Sequence, residues 1–278
     1  MRETKGTIFY KMTGSGNDFI MLDGRAAHAD DWPAARIQAV CDRRFGVGAD
    51  GFLVLVPEGP AAVRMVFFNS DGSRAPMCGN AALCSTRLSY RLGLAPADMT
   101  LVTDSGPFPT RSLDDGLFAE LNLPDFDAHK KMEIPLVKGE QGIWFAQSGG
   151  PPHTVVVVDD IEAVDVAGRG RTLRFHEAFA PKGANINFVQ DPAKWSGKGP
   201  LPMRTYERGV EGETLACGTG AVGCAVVLAT LGKVDLPAKL LSRGGFPLTI
   251  RATLAPGGRV TKVWLAGEGR LIARGVLE

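Results

Sequence analysis

The chain has 278 residues, is 45% apolar and 22% charged, and carries a formal net charge of +1. That is the composition of a globular protein with one large or two ordinary domains. A charge so near zero leaves no electrostatic footprint for nucleic acid or an anionic membrane surface. The start, MRETKGTIFYK, has no apolar h-region, so no signal peptide is expected.

In chain order, short strands punctuated by Gly and Pro are expected at 7–12, 52–56, 64–68, 100–103, 117–121, 154–158, 186–189, 248–253 and 260–265. Residues 33–43 read as a surface helix, with Pro33 in its first turn and Asp30 or Asp31 as cap. Residues 174–179 read as a short counterpart in the second half. Two further segments, 80–92 and 219–231, differ from these. The first is mostly apolar or small and the second has no charged residue. A helix that is apolar around its whole circumference is buried on all sides. Each segment ends in Leu-Gly, and Gly is the usual residue just past a helix end.

These two helices belong to a repeat. Cys78-Gly79 recurs 139 residues later as Cys217-Gly218, and Leu92-Gly93 recurs as Leu231-Gly232 at the same offset. Asn69 precedes the first cysteine by nine residues and Arg208 the second by nine. Further upstream the offset slips. Gly48-Ala49-Asp50 answers to Gly183-Ala184-Asn185, and Gly16-Asn17-Asp18-Phe19 to Gly150-Pro151-Pro152-His153. The pattern is that of a duplicated and fused half. The fold expected is α/β (α+β) in two pseudo-symmetric domains, one spanning 1–124 plus a C-terminal strand at 270–278, the other 125–269. The polar stretch Pro124–His129 marks the boundary.

Cys78 and Cys217 therefore stand at the N-terminal mouths of two core helices. The first turn of a helix has N–H groups without intrahelical partners and a partial positive charge. A carboxylate is bound there, and a thiol there ionises more easily. If both mouths face one ligand carboxylate, the thiols flank the adjacent carbon. One can remove its α-proton while the other returns a proton to the opposite face, and the fixed donors stabilise the charge that spreads onto the carboxylate. One thiolate and one thiol are needed together, so each cysteine requires a partner: Glu207 for Cys217 and His153 for Cys78. Cys41, Cys84 and Cys224 read as packing residues. Five cysteines are too few for a disulfide scaffold, and a reducing cytoplasm suits them. Their spacings are not those of metal ligands. Gly218–Gly223 fits the G-x-G-x-x-G dinucleotide fingerprint. It lacks the hydrophobic strand that the fingerprint requires, because Glu211–Thr214 precedes it.

The segments KMTGSGNDF at 11–19, DRRFGVGADGFLVL at 42–55, FFNSDGSRAPMCGN at 67–80, PHTVVVV at 152–158, GANINFV at 183–189 and ERGVEGETLACGTGA at 207–221 resemble the diaminopimelate epimerase family. The resemblance implies that each domain is a curled, barrel-like sheet around its central helix, with the active site in the interdomain cleft. It implies that the final strand, about 270–277, returns to the first domain. It also implies an isomerase of lysine and peptidoglycan-precursor biosynthesis that works without pyridoxal phosphate, any other cofactor or metal, and a possible homodimer. Carried over, Cys78 and Cys217 are the acid/base pair, and Gly79, Asn80, Gly218 and Thr219 clamp the reacting carboxylate. Asn17, Asn69, Asn185, Glu207 and Arg208 bind the rest of the substrate. Four positions depart from the family pattern: Pro151 in place of Asn, Ala81 and Leu83 in place of Gly and Arg, and Gly51 where some members have Gln. Pro151 and Leu83 motivate the alternative of a related racemase or epimerase for histidine, proline or hydroxyproline.

Overall fold

The computed structural model describes residues 6–113, 115–126, 128–147, 152–255 and 259–278. The chain divides into two compact units, 1–121 with 266–278, and 122–265. Its strands are β1 (Thr7–Gly14), β2 (Asn17–Asp23), β3 (Gly51–Pro57), β4 (Ala62–Asn69), β5 (Asp98–Thr103), β6 (Gly106–Ser112), β7 (Phe118–Leu123), β8 (Ala128–Lys131), β9 (Glu140–Gln147), β10 (His153–Val158), β11 (Asn185–Gln190), β12 (Leu201–Glu207), β13 (Gly212–Thr214), β14 (Ala238–Leu241), β15 (Pro247–Leu254), β16 (Val260–Glu268) and β17 (Arg270–Leu277). The helices are α1 (Ala34–Cys41), α2 (Gly79–Arg91), α3 (Val166–Arg174) and α4 (Gly218–Thr230). The chain leaves the first unit within β7 and returns to it within β16.

The two units share one strand plan. In the first, β1 pairs antiparallel with β2, β2 runs parallel to β3, β3 antiparallel to β4, β4 parallel to β5 and β5 antiparallel to β6. In the second, β9 pairs antiparallel with β10, and the series continues through β11, β12, β14 and β15 with the same alternation. Equivalent backbone bonds survive: the Asp50 amide donates to the Asp18 carbonyl, and the Asn185 amide to the Pro152 carbonyl.

Both faces of these sheets are covered, so β2, β3 and β10 carry unbroken apolar runs, and β11 is buried throughout although Asn185 and Asn187 alternate with Ile186 and Phe188 along it. In the first unit α1 covers one face, with Trp32 and Ile37 packing on Ile20, Leu22, Phe52 and Val54. Helix α2 lies on the other and touches β1, β2, β4, β5, β6 and β17. In the second unit α3 packs with Val156, Ile186, Phe188 and Tyr206, and α4 touches β9, β10, β11, β14 and β15. Each sheet curls around one helix, and that helix is buried nearly end to end.

Both central helices end in the same device. Gly93 has φ +65° and Gly232 φ +66°. The Leu94 amide donates to the Ser89 carbonyl and the Gly93 amide to Tyr90; Lys233 donates to Leu228 and Gly232 to Ala229. This is the Schellman pattern, which satisfies carbonyls that the helix leaves over.

The minor helices depart from the sequence reading. Pro33, not Asp30 or Asp31, is the N-cap of α1, because both aspartates lie in a preceding 3-10 turn at Ala29–Asp31. In the second half the helix is α3, capped by Asp165, whose carboxylate accepts from the Gly168 amide at 2.9 Å. Residues 177–179 form only a 3-10 turn. Gly168 and Gly170 lower helix propensity and hide α3 from a propensity reading.

At Gly93 and Gly232 an added Cβ meets no atom within 4 Å, so a substitution there costs backbone strain alone. Gly93→Ala and Gly232→Ala are each expected to lower stability by about 1 kcal/mol. Urea melts should show a lower midpoint at unchanged slope, and a neutral result at both positions would contradict the helix-end assignment.

Candidate active site

Cys78 is the N-cap of α2 and Cys217 the N-cap of α4, both with extended backbone (φ −144°, ψ 125° and φ −134°, ψ 102°). Neither side chain caps its own helix. Cys217 is buried and Cys78 half-buried, and none of the five cysteines is in a disulfide. Burial pushes the thiols of Cys41, up to about 11, and of Cys84 and Cys224 above the ordinary range, consistent with packing roles.

In the first unit a polar chain reaches the mouth of α2. Asn80 Nδ2 donates to Asn17 Oδ1 at 2.8 Å, and Asn17 Nδ2 donates to Asp50 Oδ2 at 3.0 Å. Asp50 is held by Arg43 at 2.6 Å, and Arg43 also binds Asp18 at 2.7 Å. Lys11 pairs with Asp18 at 2.7 Å. Burial opposes ionisation of Asp18, but Arg43 and Lys11 outweigh it and hold its carboxyl at about 2. Asn80 Oδ1 is buried without a partner among the described residues. At Gly79 an added Cβ meets nothing within 4 Å, so the backbone beside Cys78 is approachable. Asn69 is not joined to this group. Its amide and side chain close the turn to Ser73.

In the second unit Cys217 Sγ lies 3.8 Å from Thr219 Oγ1. A Cβ built on Gly220 would stand 3.1 Å from Cys217 Sγ and 2.1 Å from Asn187 Oδ1, so Asn187 and the thiol flank the same turn. Asn187 Nδ2 lies 3.2 Å from His153 Nδ1. His153, 1% exposed, is a neutral imidazole: burial first, then the charge of Arg208, lower it to about 4. Asn185 Oδ1 accepts from the Arg208 amide at 2.8 Å, fixing the turn that begins where β12 ends. Burial raises the Glu207 carboxyl above the ordinary carboxylate range, with Thr214 opposing the rise. A carboxyl whose ionisation burial opposes is a candidate for an acid/base role.

The structure thus gathers Asn17 and Asn80 at one helix mouth, and gathers Cys217, Thr219, His153, Asn185 and Arg208 in the other unit. Sequence reasoning missed Asp50, Asn187 and Thr205. Asp50 sits in the repeat partner of Gly183-Ala184-Asn185, which was a signal for it; Asn187 and Thr205 lie mid-strand and gave none. Pro151 lies outside the described residues. The segment before the glycine run 218–223 is the three-residue β13, partly exposed, not a buried strand of a dinucleotide fold.

The architecture defines the class, a duplicated α/β chain. Solved structures with it include a phenazine biosynthesis PhzF-family protein of Bacillus anthracis (TM-score 0.75, 15% identity, 99% of each chain) and a probable proline racemase of Agrobacterium radiobacter K84 (TM-score 0.64, 15% identity, 98% of this chain and 93% of that one). At such identity they share the fold alone. The sequence model of diaminopimelate epimerase matches residues 9–119 and 145–251. Diaminopimelate epimerases of Gemmatimonas aurantiaca (44% identity, 96% of this chain, 98% of the relative) and Aquifex aeolicus (39%, 87% and 88%) are similar along their lengths. The chain belongs to the diaminopimelate epimerase family.

Two outcomes test this geometry. The folded state resists protonating His153 until about pH 4, whereas the unfolded chain takes up that proton near 6.5. The unfolded state therefore binds more protons between these values, and stability falls as pH drops through the window, by at most ~1.4 kcal/mol per pH unit from this group. Urea melts from pH 7 to pH 4 should show this component, and His153→Gln should remove it. Gly220→Ala drives a methyl into Asn187 Oδ1 and should cost about 1–3 kcal/mol in the same assay. An unchanged melting midpoint would mean that Asn187 is not fixed there.

Proposed function

We infer that the protein is an isomerase that interconverts LL- and meso-2,6-diaminopimelate by proton transfer at the α-carbon between two thiols. The observation that carries the reading is the repeated pair of cysteine N-caps on buried helices. Each is followed by a glycine and then by a hydrogen-bonding residue, Asn80 or Thr219. Family membership supplies the substrate.

In this mechanism the thiolate of one cysteine takes the α-proton. The electron pair left on carbon delocalises onto the substrate carboxylate, and the thiol of the other cysteine donates a proton to the opposite face. The thiol and thiolate have then exchanged identities, and no atom is gained or lost. The reaction needs the two helix mouths to address one stereocentre. The amides of Gly79, Asn80, Gly218 and Thr219 hold the carboxylate, whose charge rises in the transition state, so these donors stabilise that state most. No carbonyl cofactor is required as electron sink. Glu207 and His153 keep the two thiols in opposite protonation states. Arg208 binds the distal carboxylate bidentately, and Asn17, Asn69, Asn185 and Glu207 hold the distal amino-acid group.

The reading places the enzyme in the cytoplasm, which five thiols without a disulfide support. Among the described residues no helix is long and apolar enough to cross a membrane. A homodimer belongs to the same reading. Ile8 faces Val276 across the β1–β17 ladder, and both are exposed, as is Ile272 on β17.

In deuterium oxide the protein should exchange the α-proton of diaminopimelate, followed by NMR, and leave proline, hydroxyproline and histidine unlabelled. Exchange of one of these without diaminopimelate would transfer the assignment to a related racemase. Cys78→Ala and Cys217→Ala should each lower kcat at least ~1,000-fold, while either single thiol should still eliminate halide from a β-halogenated analogue. Full epimerisation by either variant would refute the two-thiol scheme.

A further inference from the structure

The polar group beside Cys217 fixes a proton that the sequence leaves open. His153 begins β10, and Asn187 lies on the adjacent parallel strand β11. Both are buried, as is Thr205 on β12. Asn187 Nδ2 faces the carbonyl oxygens of Thr154 and Asn185 at 3.2 and 3.4 Å. Its Oδ1 accepts from the Thr205 hydroxyl at 3.0 Å. Carbonyl oxygens only accept, so turning the amide over would set oxygen against oxygen at two places. The orientation is therefore determined, and the group 3.2 Å from His153 Nδ1 is an N–H donor. Nδ1 must then carry the lone pair, which puts the ring proton on Nε2. Among the described residues His153 Nε2 has no partner, although it is buried. A buried donor left unmatched costs stability and is a mark of a site that receives an acceptor.

The chain of contacts is anchored beside the thiol. Asn187 Oδ1 abuts the first turn of α4 at Gly220, and His153 packs its Cβ toward Gly223 one turn later, at 3.5 Å from an added Cβ there.

We propose that Asn187, locked by Thr205, is a positioning residue that holds His153 as its Nε2–H tautomer, so that the ring serves the reaction as a neutral hydrogen-bond donor to an anion and not as a base. The proposal rests on His153 belonging to the active site. An anionic acceptor, thiolate or carboxylate, satisfies the buried Nε2–H when it forms. Burial and the nearby Arg208 charge keep the ring neutral, so the donor keeps a single protonation state near neutral pH.

Nitrogen NMR on the full chain labelled at histidine tests the tautomer without any variant. At neutral pH His153 should give an unprotonated Nδ1 and a protonated Nε2. The opposite pattern, or an imidazolium, overturns the proposal. In Asn187→Asp the carboxylate accepts from Nδ1–H, so the two resonances should exchange character, with kcat reduced at least ~10-fold and KM changed less than about twofold. An unchanged NMR pattern in that variant would show that Asn187 does not set the tautomer. His153→Gln keeps an amide N–H near the Nε2 position and should retain roughly a tenth or more of kcat, whereas His153→Leu should lose about 100-fold. Equal loss in both would refute the donor role. Full activity in His153→Leu, with Cys217→Ala inactive, would remove His153 from the site and leave the two-thiol reading standing.

Discussion

Everything in this molecule is arranged around the unmet amides at the start of a buried helix. A segment such as 219–231 has no face that water can solvate, so its flanks must be covered by strands. At the far end the Schellman turn satisfies the leftover carbonyls internally. At the near end the N-cap is a cysteine whose side chain does not cap, and the first-turn donors are left for something else. A residue such as Ser or Asp at that position would fold back on N2 or N3 and consume a donor. The thiol, a weak hydrogen-bonding group, leaves the site to the ligand.

Duplication preserved the backbone of this device and let its surroundings diverge. In the first unit the mouth is approached by a chain of amides backed by charge, Asn80–Asn17–Asp50–Arg43. In the second the supports are uncharged and buried, Thr205–Asn187–His153. Gly79 stands in open space, whereas Gly218 lies under Leu265, which an added Cβ would meet at 2.8 Å. Two thiols with identical environments would hold the same proton occupancy. A reaction that needs one of each requires such unlike settings.

Most of the architecture was readable because it depends on period and composition. The unbroken run in Thr154–Val158, the chargeless segment before Leu231-Gly232 and the repeated Cys-Gly each carry one dominant physical cause. The elements that were missed carry competing ones. β6 contains Pro107 and Pro109, and β12 contains Pro202; all three prolines argue locally against a strand. In β9, Gly142 is required by the Trp144 ring that covers it at 2.4 Å from an added Cβ. In α3, Gly170 is forced by Tyr206, which an added Cβ would meet at 2.5 Å. Tertiary contact chose those glycines, and a single sequence does not display tertiary contact. At the site, repetition made the thiols and their glycines legible. Asn187 was not, since its role rests on partners 18 and 34 residues away.

The ladder between β1 and β17 has a consequence for how the molecule is made. Residues 7–13 pair with 270–277, and the Gly6 amide donates to the Leu277 carbonyl at 2.8 Å. The first unit's sheet is therefore incomplete until residues 270–277 have been made and can pair with β1. The second unit is continuous and can finish during synthesis. Translation order and folding order are reversed, and a permuted gene that begins near residue 266 would put them back in step.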